Sequence, residues 1–139
     1  MKAFETEVQF STDGDGTIVD LTSHVGDAVR GSGIHTGQAT VFVPGSTGAV
    51  TTVEYEPGLL RDLPEFFEKY IPSGVTYHHD DTWGDGNGFS HLRASLVGPS
   101  LTIPVSGGEP VLGTWQQVIF LEFDNRARRR RIHISIVGQ

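Results

Sequence analysis

Residues 4–10, FETEVQF, set Phe4, Thr6, Val8 and Phe10 against Glu5, Glu7 and Gln9 with a period of two. That period belongs to a strand with one face in a core and the other in water. It returns late in the chain. In TWQQVIFLEF, residues 114–123, Gln116, Val118, Phe120 and Glu122 share one side, while Trp115, Gln117, Ile119, Leu121 and Phe123 share the other. RRIHISIVG, residues 130–138, alternates again, and DNRAR between the two predicts a hairpin. Further strands are expected at 17–19, 35–43, 49–55 and 100–105, separated by turn signals such as TDGDG, PGSTG and SGGEP. In the strand at 35–43, His35, Gly37, Ala39, Val41 and Val43 lie on one face, and the small and polar residues at its start suggest a strand end opening on a cavity.

Helical spacing interrupts this pattern three times. Residues 21–30 read as a helix with Asp20 as N-cap and Gly31 or Gly33 as terminator. In EPGLLRDLPEFFEKY, Leu59, Leu60, Leu63, Phe66, Phe67 and Tyr70 recur at helical spacing from a start at Pro57, with Pro64 predicting a kink or break. A third helix is expected over 88–97, with Leu92 and Leu96 anchoring it in the core and Asn87, His91 and Ser95 sharing a polar side. The expectation is one α+β domain over residues 1–139, mostly antiparallel sheet with a few helices.

Charge and composition narrow the chemistry. The 139 residues include no cysteine, so disulfides, thiolate metal sites and cysteine nucleophiles are excluded. Of ten basic residues, five lie in RARRRR at 126–131, and the formal charge is −7. No nucleic-acid partner is expected of such a chain. The first residues carry acids where a signal peptide needs an apolar run, and no stretch approaches the ~20 apolar residues that span a bilayer. A soluble, cytoplasmic protein with no membrane partner is therefore expected. The arginine cluster could still hold a phosphate in bidentate geometry. Within it Arg131 shares a strand face with His133 and Ser135, whereas Arg128 falls in the expected hairpin.

YHHDDTWGDGNGFSH, residues 77–91, gathers three of the six histidines and three carboxylates into one polar segment. Asp80 adjoins His79 and could orient it or act as a general base. Asp81 and Asp85 read as loop solvation or capping. Trp115 reads as core, and Gln116 on the opposite strand face could hydrogen-bond a pyrimidine or peptide-like group.

Taken together, IHTGQA, EYEPGLLRDL, HHD, GNGFSHLRASLVGPSLTIPV, LGTWQQVIFLEFD and RRRRIHISIVG resemble, in order and spacing, the YjbQ family, described as secondary thiamine-phosphate synthases. The resemblance covers essentially the whole chain. It implies a homotrimeric α+β domain with a site near subunit boundaries, and a reaction joining a hydroxymethylpyrimidine diphosphate to a thiazole phosphate with release of pyrophosphate. It picks out His35, His79, Asp80 and His91, and also Glu54, Asp62, Thr114, Trp115, Gln116, Glu122 and Arg131. On that basis His35, His79 and His91 are expected to hold a divalent metal such as zinc or magnesium, with Asp80, Gln116 and Arg131 as catalytic candidates and His78 outside the set. Glu122 is the expected partner of Arg131. The alternatives are a metal- or phosphometabolite-binding protein with incidental synthase activity, and a metal-assisted hydrolase of phosphoesters or amides; a small phosphorylated metabolite is the expected partner.

Overall fold

Strand alternation builds most of the molecule, and the computed structural model describes residues 1–139. Eight strands and four helices follow in the order β1 Lys2–Thr12, β2 Ile18–Asp20, α1 Thr22–Ser32, β3 Thr36–Phe42, β4 Gly48–Val53, α2 Pro57–Tyr70, α3 His78–Trp83, α4 Gly88–Val97, β5 Ser100–Ser106, β6 Glu109–Pro110, β7 Gln117–Glu122 and β8 Arg128–Gly138. They form two sheets, a five-stranded one in the order β1-β8-β3-β5-β6 and a three-stranded one in the order β2-β7-β4. Every pairing is antiparallel. The α+β expectation and its single domain of mostly antiparallel sheet describe this architecture. No helix is long and apolar enough to cross a membrane.

Strand β7 explains the layering. Val118 and Phe120 enter a core with Ile132, Ile134 and Ile136 of β8, Ala39 and Val41 of β3, and Val25 and Val29 of α1. Ile119, Leu121 and Phe123 enter a second core with Phe67 of α2 and Ala94 of α4. The small sheet is thus covered on both sides. One face meets the large sheet and the other meets α2 and α4, as a strand apolar on both faces requires.

Helix ends follow local chemistry. Asp20 Oδ1 accepts from the Thr22 N–H at 2.9 Å and from its hydroxyl at 2.6 Å, just outside the N-cap Leu21. Gly33 ends α1 in the left-handed conformation, at φ 69°. Pro57 opens α2, with the Glu56 carboxylate capping the N–H groups of Gly58 and Leu59. The helix runs through Pro64 without a break, and the aromatic pair Phe67 and Phe123, centroids 4.8 Å apart, pins its second half to the sheet.

Four expectations are corrected. DNRAR closes no hairpin, because β7 lies in the small sheet while β8 pairs with β1 and β3 in the large one; the segment crosses between sheets. Leu92 and Leu96 do not anchor α4, being 48% and 65% exposed, and Phe89, Ser90, Arg93 and Ala94 face inward instead. Trp115 is 71% exposed rather than core. Glu122 pairs with Arg130 and not with Arg131.

Candidate functional site

The histidine-rich segment is not a loop but helix α3 and the start of α4, and Asp80 joins them. Its Oδ2 accepts from the Tyr77 N–H at 2.9 Å and its Oδ1 accepts from the Gly88 N–H at 3.0 Å, fastening the start of α3 to the start of α4. These two backbone donors hold the Asp80 carboxyl below the usual carboxylate range, against a smaller opposing effect of burial. Gly84, at φ 70°, turns the chain between the helices.

This fastening brings His79 and His91 together, with ring centroids 4.3 Å apart and planes inclined by 40°. Tyr77, His78, Gly88 and Leu92 complete the walls of a cleft of about 220 Å³ around them. Burial, and then the neighbouring His79, hold the His91 imidazole below its ordinary value, with Asp124 and Asp85 pulling the other way. His79 Nδ1 is buried without a hydrogen-bond partner. It lies 3.9 Å from Asp80 Oδ1 and 4.0 Å from Asp85 Oδ1, too far for a hydrogen bond to either.

Behind α4 lies a polar network absent from the sequence reading. Asp124, 1% exposed, accepts from Thr47 Oγ1 at 3.1 Å, from Asn87 Nδ2 at 3.4 Å, from the Asn125 N–H at 2.8 Å and from Arg128 Nη1. Burial by itself would raise the Asp124 carboxyl, but these donors, Arg128 foremost, outweigh it and keep the group ionised. Glu122 takes two bonds from Arg130, one from Thr12 Oγ1 at 2.7 Å and one from the Asp124 N–H at 3.1 Å. Asn87, the N-cap of α4, thereby ties the helix that presents His91 to the seam between the sheets. A signal for the inward arginines was present: placing Arg131, His133 and Ser135 on one face puts Arg128 and Arg130 on the other, in line with Ile132 and Ile134.

The remaining expected residues lie elsewhere. The His35 N–H donates to the carbonyl of Gln139, beyond the Gly138 end of β8, whereas Arg128 at the other end of β8 meets Asp124. The eleven residues of that strand span about 33 Å at ~3.3 Å each. His35 therefore does not join His79 and His91, and no group of three or more His, Asp or Glu side chains is arranged to hold a metal ion. The three-histidine divalent-metal site is corrected to the pair His79 and His91. Gln116 is exposed before the start of β7, its Oε1 accepting from the Gly113 N–H and its Nε2 donating to Thr52 Oγ1. Arg131 is exposed on the outer face of the large sheet, 3.9 Å from Glu7. Glu54, Asp62 and Thr114 are exposed as well. Conversely His78, expected outside the site, contributes to the cleft wall.

A family model described as UPF0047 protein YjbQ-like matches residues 6–139. A UPF0047 protein of Methanothermobacter thermautotrophicus is 38% identical over 139 residues, covering 100% of this chain and 95% of its own. One from Archaeoglobus fulgidus is 43% identical over 115 residues, covering 83% and 87%. Among solved structures, a YbjQ-like protein of unknown function from Sulfolobus solfataricus superposes with a TM-score of 0.92 at 29% identity, covering 99% of both chains. A member from Clostridium acetobutylicum does so with a TM-score of 0.82 at 34% identity, covering 94% and 99%. These names carry the fold but no reaction. With the metal-holding triad also unformed, the thiamine-phosphate synthase expectation, and the metal-dependent alternatives beside it, are withdrawn.

Proposed function

We propose, for a chain that belongs to the UPF0047 YjbQ-like family, that the cleft between α3 and α4 binds a small polar metabolite and exchanges a proton with it through His79 and His91. The observation that carries this reading is the ring contact at 4.3 Å beside a buried, unpartnered His79 Nδ1. Two imidazoles so close cannot both be charged without mutual cost, so one stays neutral as a proton acceptor while the other can carry the proton. Such a pair offers one ring as a base and the other as an acid, the requirement for general acid–base chemistry. Asp80 acts on this pair through the backbone, by fastening the start of α3 to the start of α4. Tyr77 and Leu92 supply apolar walls that strengthen any polar contact made between them.

Protein labelled with ¹³C at histidine and screened by NMR against a library of polar metabolites tests the proposal. Binders should shift the ring signals of His79 and His91 together and lose at least about ten-fold in affinity in His91→Gln, equivalent to ~1.4 kcal/mol. Binders that perturb only other surfaces, or that bind His79→Gln and His91→Gln as tightly as the parent, would remove it. The same reading includes assembly as a homotrimer, supported by the exposed Trp83, Leu92 and Leu96 on the two helices of the cleft. Sedimentation equilibrium giving a monomer mass would strike out that part.

A further inference from the structure

Arg130 is 4% exposed, yet one of its nitrogens is uncommitted. Nε and Nη2 bond to Glu122, and Nη2 also donates to Thr47 Oγ1 at 2.9 Å. Nη1 has no partner in the protein. It is not among the buried side-chain atoms left without one, which are His79 Nδ1, Asn87 Oδ1 and Ser90 Oγ, so it retains contact with solvent. Nη1 lies beside Gly45, where an added Cβ would come within 3.2 Å of it. Gly45 has no positive φ, so its backbone would accept any residue, and what glycine provides here is an uncovered guanidinium. The N–H groups of Gly45, Ser46 and Thr47 also have no acceptor within the fold. The same loop and α4 border a cleft of about 230 Å³ lined by Gly45, Ser46, Gly48, Ala94, Ser95 and Pro99.

We propose that the Gly45–Gly48 loop is a binding site for a carboxylate group, held by Arg130 Nη1 and the loop N–H groups. A guanidinium N–H and backbone amides are the donors that such an oxyanion requires. The surrounding charge selects among anions. Arg130 is matched by Glu122 and Arg128 by Asp124, both carboxylates being 1% exposed. With each guanidinium already matched by a buried carboxylate, the setting offers little net positive charge, so a doubly charged phosphate would lose hydration without matching attraction, whereas a singly charged carboxylate loses less. The site does not depend on the acid–base reading of the histidines, since it uses none of them.

The test is a titration of ¹⁵N-labelled protein with sodium acetate and, separately, inorganic phosphate at constant ionic strength. Gly45→Val places a side chain over Nη1 without removing the Arg130–Glu122 pair, and Arg131→Ala serves as a control on the outer face. Acetate should shift the Gly45, Ser46 and Thr47 amides saturably, with affinity at least ten-fold weaker in Gly45→Val and unchanged in Arg131→Ala. Gly45→Ala should give a smaller loss, and provides the reading should valine disturb the loop. Shifts spread over residues 126–131 that persist in both Gly45 variants would overturn the site. Phosphate binding more tightly than acetate would overturn its assignment to a carboxylate.

Discussion

Replacing Arg93 by methionine should destabilise the protein by about 3 kcal/mol, the lower end of the ~3–5 kcal/mol for removing one partner of a buried ion pair. Arg93 is 2% exposed on the inner side of α4. Its Nε and Nη2 donate to the Ile71 carbonyl at 3.0 and 2.9 Å, its Nη1 to the Asp15 carboxylate at 3.0 and 3.2 Å, and its Nη2 to Glu68 at 2.9 Å. Methionine keeps the aliphatic stem, so the loss isolates the polar contacts. Removing the guanidinium leaves the Ile71 carbonyl without these donors and strands Asp15, whose carboxyl is already raised by burial despite Arg93. The lower end applies because the Asp15 and Glu68 side chains are 33% and 52% exposed and water can replace part of what is lost. At ~2.1 cal/mol/K of unfolding entropy per residue, this corresponds to a fall of about 10 °C in Tm for 139 residues. Urea unfolding and calorimetry measure both. A loss under ~1 kcal/mol would mean that Arg93 is solvated and that α4 is held by apolar packing alone.

Acidification should act through His91, whose imidazole is held below its ordinary value by burial and then by His79. As pH falls through ~6.5 the unfolded chain binds the proton first, so the His91 contribution is complete above that value and is lost as pH falls through the folded one; His91→Gln should flatten this part of a urea-midpoint profile. Leu92→Ser and Leu96→Ser should each change monomer stability by no more than ~0.5 kcal/mol, whereas Phe89→Ala should cost about 3 kcal/mol, read by urea unfolding. Arg130→Met should cost about 4 kcal/mol by stranding Glu122, while Arg131→Ala on the outer face should stay within ~0.5 kcal/mol.

Periodicity exposed most of the fold because burial here is one-sided along long strands: Phe4, Val8 and Phe10 turn inward, and so do Ile132, Ile134 and Ile136. The same logic divided β7 correctly between two cores. It failed where pairing depends on distant chain. DNRAR looks like a turn locally, and only the partnership of β8 with β1 and β3 shows that it crosses between sheets. It failed on α4 because Leu92 and Leu96 outrank Arg93 on any scale of hydrophobicity, yet the Ile71 carbonyl and the partly exposed carboxylates of Asp15 and Glu68 draw the arginine inward. The histidine pair was visible as a crowded segment, but its geometry was not. Asp80 folds that segment into two helices by accepting two backbone N–H groups, and nothing in the residue order distinguishes this from a carboxylate poised to orient His79. Motif likeness grouped His35 with His79 and His91, although the length of β8 keeps them apart.

The claim that His79 and His91 form a functional pair without His35 is tested most directly by following the His91 ring signal through a pH titration by NMR. In His79→Gln its midpoint should move upward, because one of the causes depressing it has been removed, and in His35→Gln it should stay where it is in the parent. A His91 midpoint unmoved by His79→Gln, or displaced by His35→Gln, would contradict the pairing on which the account rests.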